Sequence, residues 1–573
     1  MTKKLLSILA LLCMTVSSAW AQTTADIGRV IAKDGKMYKT VTLANKVSTA
    51  SGVVAYVGTP NIAMSLTSPT YDNKLYIHFC DNDVSSGLTY CSTLSEAIAT
   101  TTDGATATTK YVQLFDANNG RWYAARAARN YGAARPDGAS AWSLPSAAEW
   151  NNMLKALAGT STNLTESSQG AFSKTTVNTK LQEGGTEIDI IHETPYWTAT
   201  EKDISHVWFI FLNPSGGRMA SQAKRPTDPT YVRPIFTFAS ATNAYVVEYD
   251  ANNGSGAPSA QSKTHGTALA LSSTVPTRDG YTFDGWATSA DGAVVYAAGA
   301  SYTNNADVVL YAHWTQNTAS LTDGDDLSAL STYAGKTCTV TYSRSFTADK
   351  PSTVCLPFAY ATASAGGTFY TFTGITKSGS EYIADMTAYS GANLVANTPY
   401  LFKASATGDV DFGGTYAIPA DLTAGSTGDD DGWKFVGTYT TQQWTEAPKG
   451  IYGFSAQNVD AQGINQGEFV KVGAYVRVKP MRCYLKYKNG GEDYAGARAM
   501  TRAAAADEPL PETIKVRLIG ADGTVTAIGT LHTRTGEVSF DSEAWYTLDG
   551  KRLAGQPTQK GIYVNNGKKV VIK

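Results

Sequence analysis

YVVEYDANNGSG (Tyr245–Gly256), VPTRDGYTFDGWAT (Val275–Thr288) and VVLYAHW (Val308–Trp314) decide how this chain is read. Each holds a run of β-branched and aromatic residues bounded by Gly, Asn, Asp or Pro, the composition of short strands between tight turns. Gly280 and Gly285 bracket Tyr281–Phe283 as turn residues, and Trp286 and Trp314 are large enough to anchor a small core. Residues 241–316 are therefore expected to form one compact unit of alternating strands. The same rings could serve as a stacking platform for sugars, and packing is the preferred reading.

Outward from this unit the pattern changes on both sides. Residues 22–240 mix strand-like YKTVTL (38–43), KLYIHF (74–79) and VWFIFL (207–212) with one clear helix. That helix starts at Ser146, an N-cap with Glu149 three residues on, which makes a capping box. Trp150, Met153, Leu154 and Leu157 follow at helical spacing and Gly159 stops it. On the other side, TQNTASLTDGDD (315–326) is polar and aperiodic, so residues 317–326 are expected as a linker. Residues 327–497 give short strands at regular spacing, among them TCTVTYSRSF, STVCLPF, TFYTFTGI, TPYLFKA and RCYLKYK, which predicts a β-sandwich. RAMTRAAAADEPLPET (498–513) reads as a second linker, and 514–573 as a C-terminal β module ending in an Asn-Asn-Gly hairpin. The expected fold class is mainly β with a minor α+β part, spread over several domains.

The composition agrees with this division. A chain of 573 residues exceeds a single core and suggests about four domains. Charged residues are 17%, below the roughly 25% of ordinary globular proteins, which favours β-rich extracellular modules over a cytosolic helical enzyme. Residues 1–21 have the parts of a secretory signal peptide: Lys3 and Lys4, the apolar run Leu5–Leu12, and Ala19-Trp20-Ala21 before the cleavage point. The bulky Leu12 before Cys13 argues against lipid attachment. Losing Lys3 and Lys4 takes the formal charge from −2 to −4, which gives no electrostatic footprint for nucleic acid. No run is long and apolar enough for a membrane span. Beyond the leader, Cys80 and Cys91 are placed to bridge, and Cys338, Cys355 and Cys483 read as packed thiols.

Three resemblances to known families follow from these residues. The 245–314 pattern resembles the Listeria–Bacteroides repeat, also called the internalin-type B repeat. It is carried by Val247, Tyr249 and Asp250, by Pro276, Gly280, Tyr281, Phe283, Gly285 and Trp286, and by Leu310, Tyr311, Ala312 and Trp314. The resemblance implies a β-grasp-like spacer or adhesive module of a surface protein. WSLPSAAEW (142–150), YWTATE (196–201), VWFIFL (207–212) and YVRPIF (231–236) resemble the C-terminal domain of Legionella collagen-like proteins, which implies a C-type-lectin-like fold. Formylglycine-generating enzymes are relatives of that fold, but their cysteine pair near the domain end has no counterpart between Trp142 and Phe236. WYTLDGKRLAGQPTQKGIYVNNGKKVVIK (545–573) is similar to the sorting tail of type IX secretion, which implies recognition by export machinery; its simpler reading is a hairpin capping the last domain. The sandwich phrases look like modules of secreted Bacteroidales proteins.

Motifs that would carry chemistry fail on spacing. The six histidines, His78, His192, His206, His265, His313 and His532, include no pair spaced for zinc, and neither H-E-x-x-H nor Cys-x-x-Cys occurs. Gly335-Lys336-Thr337 imitates a phosphate loop but runs into a strand, whereas such a loop needs a helix N-terminus. DANNG at 116–120 and 250–254, and Asp429–Gly432, read as turns after strands rather than calcium loops. Asp203, Lys224 and Arg225 read as solvated surface. The sequence thus assigns no catalytic, cofactor or metal residue. It points to an exported surface or secreted binding protein, an adhesin without catalytic activity whose partner is an extracellular glycan or a host or matrix protein. A secreted hydrolase with a dispersed site and a structural matrix subunit are the alternatives.

Overall fold

Alternating and fully apolar strand segments dominate the computed structural model, with strand at 38% and helix at 15%. The structure describes residues 22–572 except 71–75, 81–83, 118–120, 226–229, 379–380, 429–431, 455–468, 489–509, 511–513, 524, 532–537, 540–544, 549–550, 554–555 and 566–567. The leader 1–21, the acidic run Asp429–Asp431 and all of 498–513 but Leu510 lie outside the described residues. Two units are distinguished: residues 1–276 with 284–313, and residues 277–283 with 314–573.

The first unit is built on a nine-stranded sheet. Its strands are β1 (Val30–Ala32), β2 (Lys36–Tyr38), β3 (Ala50–Tyr56), β4 (Asn61–Ser65), β8 (Ile235–Phe238), β9 (Thr242–Asp250), β10 (Gln261–Thr264), β12 (Tyr281–Ala287) and β14 (Val308–Gln316). The order is β12-β14-β9-β2-β1-β3-β4-β8, with β10 also pairing β9. A second sheet joins β5 (Tyr196–Glu201), β6 (His206–Asn213) and β7 (Gly216–Ala223) as consecutive antiparallel neighbours, and β11 (Leu269–Ala270) pairs antiparallel with β13 (Ser301–Tyr302). The expected helix spans Ala147–Ala158, with Ser146 accepting from Glu149 N and Gly159 left-handed at φ 65°. Its Trp150, Met153, Leu154 and Leu157 are buried as the spacing predicted. Glu149 Oε2 accepts from Ser146 N at 2.7 Å and from Gly104 N at 2.9 Å, so one carboxylate caps this helix and also meets the first residue of the earlier helix Gly104–Asp116.

Several local expectations are corrected. YKTVTL is a strand only to Tyr38; Thr40 then caps a helix over Val41–Val47 by accepting from Leu43 N. β-branched content suggested a strand, but the cap decided the conformation. Helices also form at Leu94–Ile98, Gly104–Asp116, Tyr123–Arg129 and Lys174–Leu181. The described end of KLYIHF is not a strand: Ile77 N and Phe79 N donate singly to Thr230 O and Lys224 O. Asp116, expected in a turn after a strand, is the last residue of a helix. The second DANNG is a turn, with Asn252 and Asn253 at φ 46° and 68° after β9. Cys80 and Cys91 are buried in separate core clusters and do not bridge to one another.

The second unit contains two larger sheets around one core. A seven-stranded sheet runs Pro351–Cys355, Pro399–Ala404, Gly367–Ser378, Glu381–Ala388, Ile514–Ile519, Val525–Leu531, Val538–Ser539. A five-stranded sheet runs Ser426–Gly428, Trp433–Thr438, Arg482–Tyr487, Ile451–Phe454, Phe469–Lys471. Phe369, Phe402 and Met386 from one sheet and Trp433, Phe435 and Leu485 from the other share one buried cluster, the face-to-face packing of a sandwich. Ile514–Ile519 pairs in parallel with Glu381–Ala388 and buries Ile514, Val516 and Leu518 in that cluster, so strands from beyond 513 extend the sheet. The C-terminal hairpin pairs Gly561–Asn565 with Lys568–Ile572.

Residues 317–326 are more than a tether. Thr318–Ser320 pairs in parallel with Thr337–Thr341, and Asp323 takes two hydrogen bonds from Arg482 Nη2 at 2.6 and 2.8 Å. Arg344 lies in the same cluster, buried, donating to Thr353 O at 2.7 Å. Burial and then the Arg482 charge bring Arg344 down to about 9. Burial raises Asp323, but the charge and hydrogen bonds of Arg482, the charge of Arg344 and the hydrogen bond from Tyr342 together outweigh it and hold the carboxyl below its usual range.

Two outcomes are expected. A Cβ at Gly104 would lie 1.9 Å from Leu144 O, so Gly104→Ala is expected to cost about 1–3 kcal/mol in urea unfolding. Gly132→Ala, with nothing within 4 Å, serves as the matched control. Because the folded Asp323 carboxyl is depressed, its contribution is complete above its ordinary pKa of 3.8 and is lost as pH falls through the folded value. The stability gap between the wild type and Asp323→Asn should therefore stay constant near neutrality and close below about pH 4.

Candidate functional site

Strand β5 is buried at all six positions and ends on a glutamate, which forces the question of what faces that charge. Trp197 and Ala199 point into a core with Phe79, Tyr111, Trp122 and Val207. Glu201 lies at the edge of this core, 2% exposed, and Lys224, 1% exposed, follows β7 beside it. Lys224 Nζ pairs with Glu201 Oε1 and also donates to Val84 O at 3.2 Å. Lys224, read from the sequence as solvated surface, is thus a buried cation; the error came from treating it as one of a basic pair with Arg225, which is the exposed member.

The surrounding groups complete the site. Ser86 Oγ donates to Glu201 Oε2. Tyr111 Oη donates to Ala199 O at 2.8 Å and lies 3.5 Å from Glu201 Oε2. Burial first, and then the Glu201 charge, push the Tyr111 phenol well above its ordinary value, so it remains a neutral donor. The Trp122 ring lies 5.3 Å from Lys224 Nζ and stacks on Tyr111 at 4.6 Å, with Phe79 edge-on to both. An ammonium over an indole face gains from the ring quadrupole, most strongly where water is excluded.

Chemically, this arrangement holds a charge in place. A cavity of about 10 Å³ reaches Glu201 past Thr89, Thr100 and Tyr111, room for about one water. The carboxylate accepts from an ammonium and hydroxyls, and its backbone carbonyl accepts from Cys91 N at 3.0 Å. Trp208 Nε1 in turn donates to Cys91 O at 2.8 Å. The described part of the 76–92 loop is therefore fastened to the three-stranded sheet through this pair.

The other residues singled out in the sequence are dispersed. Asp203 and His206 sit in the β5–β6 turn at roughly half exposure. Although burial raises it, hydrogen bonds from Ser205 and His206 bring Asp203 down to about 2. In the first unit, Trp286 is fully buried and packs on Tyr249 at 4.8 Å, as a core anchor should, and His313 Nδ1 is 2.8 Å from Asp284 Oδ2. In the second, Trp314 is half-buried and edge-on to Phe283 at 5.8 Å. Among the described residues no group of three or more His, Cys, Asp or Glu is gathered to hold a metal, and no helix is long and apolar enough to cross a membrane.

Comparison with known proteins gives one family match. Residues 245–313 match the Listeria-Bacteroides repeat domain, in agreement with the motif residues. No curated protein matches the chain. Among solved structures, a fimbrial protein from Bacteroides ovatus ATCC 8483 is similar at 14% identity, over 37% of this chain and 48% of that one, with a TM-score of 0.25. The likeness thus spans about half the length of that protein.

Removing one member of the buried pair leaves the other charge without compensation. Lys224→Met is expected to destabilise by about 3–5 kcal/mol in chemical denaturation, and Lys224→Met with Glu201→Leu by clearly less than the sum of the two single changes.

Proposed function

We propose that the chain is an exported surface protein that binds an extracellular ligand and catalyses no reaction. Residues 22–240, C-type-lectin-like in their motifs, form the contact head. The repeat and the sandwich hold that head away from the cell. The observation that carries this reading is the Listeria-Bacteroides repeat at 245–313, a module of surface proteins. The head and the repeat belong to one sheet, because β9 pairs with β2 at its start and with β10 and β14 further along. Residues 1–21 are the export leader, and the terminal hairpin is the element that type IX export machinery recognises. The Glu201–Lys224 pair holds the head's fold together rather than receiving a ligand, since the space at its carboxylate admits a water and no sugar or peptide. The ligand class is a glycan or a matrix protein.

The test is a glycan-array and matrix-protein screen of the purified full chain, with calcium chelated in one arm. Saturable binding is expected, equal in both arms. Turnover of a glycan or peptide that one point substitution abolishes would replace this reading with a hydrolase. Binding only to further copies of the chain would replace it with a structural subunit.

A further inference from the structure

Cys355 ends a strand of the seven-stranded sheet, and Cys483 is the second residue of Arg482–Tyr487 in the five-stranded sheet. One backbone hydrogen bond and one to a side chain join the two segments at this point. Cys355 N donates to Met481 O at 3.4 Å and Cys483 N to Thr353 Oγ1 at 3.1 Å. Cys483 Sγ also reaches Val354 O at 3.4 Å. Gly437 is the cross-strand partner of Cys483, and a Cβ on Gly437 would lie 2.6 Å from Cys355 Sγ. The missing side chain at 437 therefore makes the space in which the Cys355 sulfur lies against the neighbour of Cys483. The carbonyl that Cys483 Sγ reaches is that of the residue before Cys355, Cys355 Sγ lies 3.6 Å from Tyr439 Oη, and both cysteines are 0% exposed.

We propose that Cys355 and Cys483 are a latent disulfide, a redox modification site that locks the two sheets of the sandwich together. Cys80 and Cys91 belong to separate core clusters, and Cys338 lies on Thr337–Thr341, where its thiol donates to Thr339 O at 3.6 Å. The oxidant is a low-molecular-weight or protein disulfide. One cysteine thiolate attacks a sulfur of that disulfide and expels one thiol. The second cysteine then attacks the mixed disulfide and expels the other. Two electrons pass to the oxidant, two protons leave the cysteines, and one S–S bond is formed as one is broken. Burial holds the Cys483 thiol well above its ordinary value, so little thiolate forms while the sheets are closed. The bridge accordingly forms as the chain folds or when the sheets part, and slowly in the closed sandwich. It spans about 130 residues of chain, a separation at which a cross-link strongly restricts the unfolded state.

The full chain is refolded in oxidised and reduced glutathione at a series of ratios, quenched in acid, blocked with N-ethylmaleimide under denaturing conditions and digested without reduction. Mass spectrometry is expected to find one cross-linked peptide pair joining Cys355 to Cys483, lighter by two hydrogens and growing with the oxidised fraction. The peptides of Cys80, Cys91 and Cys338 stay blocked. The oxidised chain should melt at a higher temperature than the reduced one, a shift that Cys355→Ala and Cys483→Ala abolish and Cys338→Ala keeps. Recovery of both cysteines in blocked form at the most oxidising ratio, or pairing of either with another cysteine, overturns the proposal. The peptide readout on the wild type decides the matter even where a variant fails to fold.

Discussion

A lysine and a glutamate closed off from water under an indole ring organise the N-terminal half of this protein. Each charge alone would be costly to bury, and together they are tolerable only if hydrogen bonds satisfy what the ion pair does not. That requirement fixes more than two side chains. It sets Val84 and Ser86 against the pair and holds Tyr111 as a neutral neighbour. It also fastens Cys91 to the main chain of Glu201 and, through Cys91, Trp208. A loop already held at Ile77 and Phe79 by single hydrogen bonds and core packing is fixed at Val84, Ser86 and Cys91 by one electrostatic condition.

The sandwich meets the same difficulty differently. Two arginines, Arg344 and Arg482, lie in one cluster with Asp323 as their counterion. Arg344 spreads its burden over a carbonyl and the face of Phe346, 4.6 Å from its guanidinium carbon. The aspartate comes from a polar segment just outside the sandwich strands, and Tyr342 donates to it at 3.1 Å. The segment is thereby bound to the aromatic core of the sandwich it leads into. In both halves the buried polar groups decide which connecting segments are fixed, while the apolar clusters supply bulk and no direction.

What could be read in advance depended on whether a residue's partner was local. The helix at 147–158 was legible because Ser146, Glu149 and Gly159 define both ends within the segment itself. The repeat was legible because its glycines and tryptophans recur in a fixed order. The helix at 104–116 was not, since GATATTKYVQLFD has Thr and Gly where strong helix formers would be expected. Only Asp103, accepting from Thr106 N, marked its start. Tyr123–Arg129 is similarly quiet, its buried face being four alanines. The Glu201–Lys224 pair was missed because its partners are far apart along the chain. One signal was present: in YWTATE the face of Trp197 and Ala199 is apolar and ends in Glu201, a carboxylate that needs a cation once that face is buried. Cys355 and Cys483 were legible as packed thiols but not as neighbours, since their closeness depends on Gly437 and on the stacking of two sheets.

The sharing of β9 also has a mechanical meaning. Along its nine residues, the first two are in register with β2 and later ones with β10 and β14, so no slack chain separates the N-terminal block from the repeat. A pull between the two is transmitted along the strand, across which the ladder hydrogen bonds run, slanted in the parallel pairings with β2 and β14 and at right angles in the antiparallel pairing with β10. Bonds loaded in that direction share the force and give way together, instead of opening in succession as they do when a hairpin is peeled from its end. A flexible tether would let the repeat swivel and would dissipate orientation. A common strand turns it into a lever arm that carries both direction and tension to the N-terminal block.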